Sequence, residues 1–422
     1  MDINGLLKEF TCECGKVHSC DIKYVFVEAG AIKRLPEICN DFNNILIVAD
    51  KNTYGVCGNA VVNQIKDKVY NTKVFECDGF LVPDEESVEA VESELKKDTD
   101  LIIGIGSGVI QDLCKYVSFN ANLPYYIVAT APSMDGYASK GAAMIMQNMK
   151  ITYNAHVPKA IIGDVDILKD APMDMIKSGY GDILGKFSCL NDWKLSHVVN
   201  DEYICDYVYN LTFDMLSKTK DLGPLLLKRD KDAIKTLMEA LVGVGIAMAY
   251  VGNSRPASGS EHHLSHYFEI VGLLNDEPYF MHGTDVVYSS VYTQKLREKL
   301  LSLNTPEKAE AFDKSDWKIR IEEIYTKAAD GVIALQEKLG WYEIDRCTIY
   351  KEKWEEIKKV LGEAPSVNEM KGYLKSIDLD IEEFEKSYGE EKIENALLFA
   401  KDLKDRYSVL WMYFDLFYTK TK

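Results

Sequence analysis

An α/β amino-terminal domain built on a parallel sheet, followed by an all-α carboxy-terminal domain, is the fold class that this sequence predicts. Three observations carry the prediction. From Tyr24 to Val165 short apolar runs alternate with stretches of helical periodicity, the pattern of a parallel sheet covered by helices. A glycine-rich turn falls between two of those runs, at Gly104–Gly108. From about Pro172 the β-branched runs thin out and helical periodicity takes over. No repeat, low-complexity tract or proline-rich linker separates the halves, so the boundary is expected near residues 166–175, dividing the chain into 1–170 and 171–422.

The whole-chain properties narrow the function class. At 422 residues with 47% hydrophobic content, two domains with proper cores are expected. A net charge of -18 argues against a nucleic-acid partner, whose phosphates need a basic patch, and suits a small-molecule substrate. Met1–Glu9 lacks the basic start and apolar core of a signal peptide, and no run approaches the ~18 uninterrupted apolar residues of a membrane span. Ten scattered cysteines read as reduced thiols, hence a cytoplasmic protein. Cys12, Cys14, His18 and Cys20 stand apart as four soft donors within nine residues. Their spacing is tighter than a paired zinc knuckle and only half of one is present, which favours a reduced turn near solvent, with a small zinc site as the alternative.

In chain order, the expected strands are Tyr24–Glu28, Asn44–Ala49, Lys73–Glu76, Leu101–Ile105 and Tyr125–Ala129. Asp50 follows the second, where a carboxylate could grip a ribose diol or cap the next helix through Asn52-Thr53. After the fourth comes Gly104-Ile105-Gly106-Ser107-Gly108-Val109-Ile110, a strand, turn and helix start at which backbone N–H groups favour a phosphate. Val109 replaces the third glycine of the dinucleotide fingerprint, and Asp50 precedes the turn instead of following it. The sheet is therefore expected to be Rossmann-like but of non-standard order. The fifth strand runs into Thr130-Ala131-Pro132-Ser133-Met134-Asp135-Gly136-Tyr137-Ala138-Ser139, a polar loop at the carboxyl end of a strand, where open α/β sheets bind ligands. The plainer reading is a polar turn hinged at Asp135-Gly136.

In the second half, Asp182, Lys186 and Leu190 are expected on one side of a helix, and a carboxylate there is expensive unless paired or metal-bound. Ile234–Tyr250 reads as a buried helix, and Lys318–Tyr418 as amphipathic helices forming a scaffold or an oligomer surface. Three of the seven histidines lie within His262–His266, and His262 and His266, spaced i,i+4, leave one helix face. His282-Gly283 supplies a fourth. An acid and two histidines from three segments can hold one divalent cation and leave a coordination position open. That reading is preferred to a helix end with solvated histidines, although spacing alone leaves His262 and His266 equal as ligands.

Taken together, Gly104–Gly108, Thr130–Ser139, Gly179–Lys186, Ser254–His262 and His282-Gly283 resemble the metal-dependent sn-glycerol-1-phosphate dehydrogenases, a branch of the glycerol dehydrogenase, iron-containing alcohol dehydrogenase and dehydroquinate synthase group. The resemblance covers roughly residues 20–300, and the Ser133–Ser139 loop is most similar to the bacterial members linked to arabinose utilisation. It implies Asp182, His262 and His282 as metal ligands, with Asp135, Asp182 and His266 meeting the substrate, and Asp182 and His266 catalytic. It also implies Asp50, Gly106, Ser107, Gly108, Val109, Ile110, Thr130, Ala131, Pro132, Ser133 and Ser139 around NAD(H) or NADP(H). The implied reaction is reversible hydride transfer between the nicotinamide and dihydroxyacetone phosphate, by a homodimer. Zn²⁺ suits the ligands best, and Ni²⁺ or Fe²⁺ also fits. His266 would supply the proton, and Arg255 and Lys186 the cations for the phosphate. Where the family pattern reads Glu-His-Leu-Phe-Ser-His, this chain has Glu261-His262-His263-Leu264-Ser265-His266. Neither the Cys12–Cys20 cluster nor the tail beyond residue 300 is explained by the resemblance. The alternatives are a dehydrogenase acting on glycerol or another polyol, a dehydroquinate-synthase-like lyase, and a metal-structured nucleotide sensor without turnover.

Overall fold

A computed structural model describes residues 2–76, 79, 81–146, 149–308 and 310–419. The chain forms two compact units, Met1–Ile183 with Ser217–Asn253, and Leu184–Leu216 with Ser254–Lys422.

The first unit is organised on six parallel strands: β3 (Tyr24–Glu28), β4 (Ile45–Asp50), β5 (Val69–Phe75), β6 (Leu101–Gly106), β7 (Tyr125–Ala129) and β10 (Ala160–Asp164), in the order β3-β10-β7-β6-β4-β5. β4, β6, β7 and β10 are apolar almost throughout and buried, because helices shield both faces of such a sheet from water. All five expected strands are present, with ends shifted by a few residues. The sixth, β10, is additional and lies between β3 and β7, so the last strand in sequence fills a place beside the first. Two short antiparallel hairpins complete the unit's strands, β1 (Phe10–Thr11) with β2 (Val17–His18), and β8 (Gly141–Met146) with β9 (Met149–Asn154).

The helix Lys231–Val251 belongs to this unit. Asp230 caps it, accepting the Asp232 and Ala233 N–H groups at 3.1 and 3.0 Å, and Gly252, at φ +81°, ends it in a conformation side chains resist. It is long and apolar enough to cross a membrane, but 78% of its apolar window is buried inside the protein, so it is a core helix. It packs on the turn after β7: a Cβ on Gly245 would lie 2.7 Å from Ala138 Cβ and 2.9 Å from the Asp135 carbonyl.

The second unit is helical. Lys186–Asn200, Ser260–Asn275 and His282–Leu301 carry mostly buried faces, and among the described residues the tail adds seven further α-helices from Lys314–Tyr325 to Val409–Phe417. The expected stripe of Asp182, Lys186 and Leu190 is shared by two helices, Met173–Leu184 and Lys186–Asn200, that meet at Gly185.

Candidate active site

In the first unit the candidate nucleotide residues gather at the carboxyl ends of β4, β6 and β7. β6 delivers Gly106, and the helix Gly108–Asn120 starts two residues later behind Ser107. Glycine has different causes along this turn. A Cβ on Gly104 would lie 2.9 Å from Cys114 Sγ, and one on Gly106 2.6 Å from Ile110 Cβ, so strand-to-helix packing explains both. Gly108 has room, its nearest neighbour being Met134 Cε at 3.6 Å. Packing therefore does not demand glycine at Gly108. Val109 and Ile110 follow in the first turn of that helix.

Thr130 closes on the same turn, its N–H donating to the Gly106 carbonyl at 3.0 Å. Ala131 accepts from the Tyr137 hydroxyl at 2.7 Å, and the Ser133 carbonyl accepts from Ser178 Oγ at 3.1 Å. Against Pro132 the helix Met173–Leu184 approaches so closely that a Cβ on Gly179 would lie 1.8 Å from the Pro132 carbonyl oxygen. Ser139 turns its hydroxyl back to the Gly136 carbonyl at 3.0 Å. Asp50 caps the next helix: Thr53 N–H donates to its Oδ1 at 2.9 Å and Thr53 Oγ1 accepts from the Asp50 N–H at 3.1 Å. The capping role was legible in the sequence, and it leaves Oδ2 of the same carboxylate for other donors.

At the end of the helix Met173–Leu184, Asp182 is buried, and its Oδ2 accepts the Asp135 backbone N–H at 2.9 Å. The metal candidate thus holds the substrate-loop candidate by its backbone, an arrangement that fixes both. Asp135 itself is buried.

The second unit brings three histidines together. Ring centroids are 5.0 Å apart for His262 and His282, 5.8 Å for His266 and His282, and 6.2 Å for His262 and His266. His262 faces Glu261 Oε1 through Nδ1 at 2.7 Å. With Nδ1–H donating to the carboxylate, Nε2 carries the lone pair, the tautomer in which a metal-binding imidazole is usually oriented. Burial, reinforced by Lys186, His282, His266 and Lys404, holds His262 well below the ordinary histidine range, so the ring is neutral and able to ligate. Burial, with the charge of Asp192, pushes the Glu261 carboxyl up to about 8. A bound cation would oppose that shift. His263 is buried, and neither ring nitrogen has a hydrogen-bond partner among the described residues.

Asp192, Arg297 and Glu202 are supporting residues that escaped the sequence reading. Asp192 accepts the Ser260 N–H at 2.7 Å and so anchors the start of the histidine helix, while Arg297 grips Asp192 at 2.8 Å. Arg255 is held as an internal ion pair with Glu202 at 2.7 Å and donates to the Tyr407 carbonyl at 2.9 Å. That ties it to the framework. Lys186 donates to the Ala257 carbonyl at 3.0 Å.

The chain matches the iron-containing alcohol dehydrogenase family over residues 26–172. A glycerol-1-phosphate dehydrogenase [NAD(P)+] of Halalkalibacterium halodurans is 35% identical over 315 residues, covering 71% of this chain and 79% of the relative. The chain belongs to the glycerol-1-phosphate dehydrogenases. A Bacillus licheniformis protein of the same name is 28% identical over 94% of this chain and 90% of its own, so the similarity runs on into the helical tail, which the expected coverage of residues 20–300 left out. Among solved structures, a sulfoacetaldehyde reductase of Bifidobacterium kashiwanohense in complex with NAD+ is similar with a TM-score of 0.58 at 12% identity, covering 90% of each chain. That likeness shows the fold.

Proposed function

We propose that this protein catalyses the reversible, NAD(P)H-dependent reduction of dihydroxyacetone phosphate to sn-glycerol 1-phosphate with one divalent metal ion. The observation that carries the reading is the neutral, carboxylate-oriented His262 beside His282 and His266, in a chain of this family. Asp182, a buried carboxylate, and the imidazoles of His262 and His282 are the ion's proposed ligands. A carboxylate and two imidazoles fit Zn²⁺, Ni²⁺ or Fe²⁺ and leave room for a substrate oxygen.

The nucleotide would lie across Gly106, Ser107, Gly108, Val109 and Ile110, with Thr130, Ala131, Pro132, Ser133 and Ser139 beside it and Asp50 toward the ribose. When bound, it supplies the hydride and the metal polarises the carbonyl. The residues of this chain then have distinct tasks. Asp182 and Asp135 orient the reacting end of the substrate. His266, partly exposed in the histidine cluster, delivers the proton that the reduced oxygen requires. Lys186 and Lys404, both electrostatically felt by His262, are the cations to meet the phosphate, with Arg255 already engaged by Glu202. On this reading residues 1–170 hold the nucleotide and 171–422 supply metal and substrate contacts. A homodimer in a reducing compartment fits the reduced thiols.

The deciding experiment follows NADH oxidation with dihydroxyacetone phosphate and with dihydroxyacetone, before and after chelation and after adding back Zn²⁺, Ni²⁺ or Fe²⁺. Turnover of the phosphorylated substrate alone, abolished by chelation and restored by a metal, is expected. Preference for the unphosphorylated ketone would make it a polyol dehydrogenase.

A further inference from the structure

We propose that Tyr388, in the helical tail, is a positioning residue for His282 that sets the histidine pair receiving the metal. The inference rests on the reading of His262 and His282 as metal ligands.

The helix His282–Leu301 begins at the histidine itself, and Met281 gives its first turn no side-chain cap. Helix ends fray, and a ligand at the first helical position moves with them unless it is held from outside. The tail supplies that hold. Tyr388, on the helix Ile381–Phe399, donates its hydroxyl to Asp285 Oδ1 and Oδ2 at 2.9 and 3.0 Å. The same hydroxyl accepts the Phe280 N–H at 3.3 Å. His282 lies between these two anchors, two residues after Phe280 and three before Asp285. Asp285 and Tyr388 are both buried, so water competes little for the bond.

The ring of Tyr388 holds the other histidine helix. It stacks on Phe268, two residues beyond His266 in Ser260–Asn275, with centroids 4.1 Å apart and planes 10° apart. Phe384, one turn earlier in the tail helix, meets the same Phe268 edge-on at 5.0 Å. One side chain therefore touches both helices. Its face lies on the helix bearing His262 and His266, and its hydroxyl on the helix bearing His282. The His262 and His282 rings stand 5.0 Å apart. Metal–ligand distances tolerate only about 0.2 Å, so the setting of one helix against the other decides whether one ion meets both rings. A second tie, from Tyr292 Oη to Glu385 Oε1 at 2.8 Å, joins the same tail helix to His282–Leu301 about three turns beyond the ligand. It serves as the comparison, a like contact placed away from the metal.

The test strips the full chain of metal and titrates it with Zn²⁺ against a competing chelator. A parallel titration uses Co²⁺, whose visible absorption reports coordination geometry, and unfolding is recorded beside both. The site is the binding that His282→Ala removes. Tyr388→Phe keeps the ring stack and loses the hydroxyl, and should weaken Zn²⁺ binding roughly 10-fold and alter the Co²⁺ spectrum. That variant strands a buried carboxyl, so Tyr388→Phe is also combined with Asp285→Leu. Removing both partners should bring stability back toward the parent's, while Zn²⁺ binding stays weak. Asp285→Asn, which can still bond the hydroxyl, should bind Zn²⁺ as the parent does, and so should Tyr292→Phe. Parental affinity in the combined variant, or an equal loss in Tyr292→Phe, overturns the positioning role and leaves the tail a scaffold. If His282→Ala bound Zn²⁺ as tightly as the parent, the ligand reading would fall and this inference with it.

Discussion

Asp192 and Arg297 form a fully buried ion pair at 2.8 Å, and the other oxygen of Asp192 accepts the Ser260 N–H at the start of the histidine helix. Arg297 also donates to Asn191 Oδ1 at 2.8 Å and Ser188 Oγ at 2.9 Å, and Val409 N–H donates to Asp192 Oδ1 at 3.0 Å. A charge so enclosed is held by its partners, and removing one leaves the other stranded. Arg297→Met should lower unfolding free energy by about 3–5 kcal/mol. Equilibrium denaturation with coincident probes checks this. A change under ~1 kcal/mol would mean that the pair is solvated in solution.

The three neighbouring histidines should separate by readout. His262→Ala should purify metal-poor and inactive, because a three-ligand site has no spare donor. His266→Ala should retain metal and lose turnover by roughly 10²–10⁴-fold. His263→Leu should keep both metal and activity and fold at least as well, since the ring leaves two buried nitrogens without partners. Metal content measured beside kcat distinguishes the three. Metal loss in His266→Ala with retention in His262→Ala would exchange their roles.

Gly108→Ala and Gly179→Ala are expected to fail differently. Gly108 has space for a Cβ, so its variant should melt with the parent and show a raised KM for the dinucleotide. At Gly179 the Pro132 carbonyl stands 1.8 Å from the added atom, and overpacking of about 1–3 kcal/mol should appear in its stability. Thermal melts and cofactor titrations on the two variants give the comparison.

Asp50→Ser keeps a good helix cap while deleting the charge that would repel a 2′-phosphate. Stability should be unchanged and any preference for NADH over NADPH should shrink. Equal use of both cofactors by the parent enzyme would remove Asp50 from that role.

Burial raises the Asp285 carboxyl well above its ordinary range, although the Tyr388 hydroxyl donates to both oxygens at 2.9 and 3.0 Å. The folded state therefore prefers the protonated form. This contribution is fully present below the unfolded value of about 3.9 and is lost as pH rises toward the folded value. Asp285→Asn should gain stability relative to the parent between about pH 4 and pH 7. Denaturant midpoints that track each other across that range would refute it.

The sheet was largely legible because its strands are continuous apolar runs, and a parallel sheet buried on both faces needs such runs. β10 was missed because Ala160-Ile161-Ile162-Gly163-Asp164 is short and carries no helix or turn signal that sets it apart. The histidine cluster could be read because His262 and His266 are local on one helix. Asp192, Arg297 and Glu202 could not, since their partners lie 53 to 105 residues away and their charges read as solvated faces.

The chain enters the sheet unit twice, leaving after Ile183 and returning for Ser217–Asn253. A single recombination break anywhere between those points would strip the sheet of the helix that covers the Asp135–Ala138 turn and of the Tyr250 carbonyl behind His18. Exchange of halves between such enzymes by one crossover should therefore yield inactive, poorly folded chimeras. New specificities are more accessible by altering loops in place than by swapping modules.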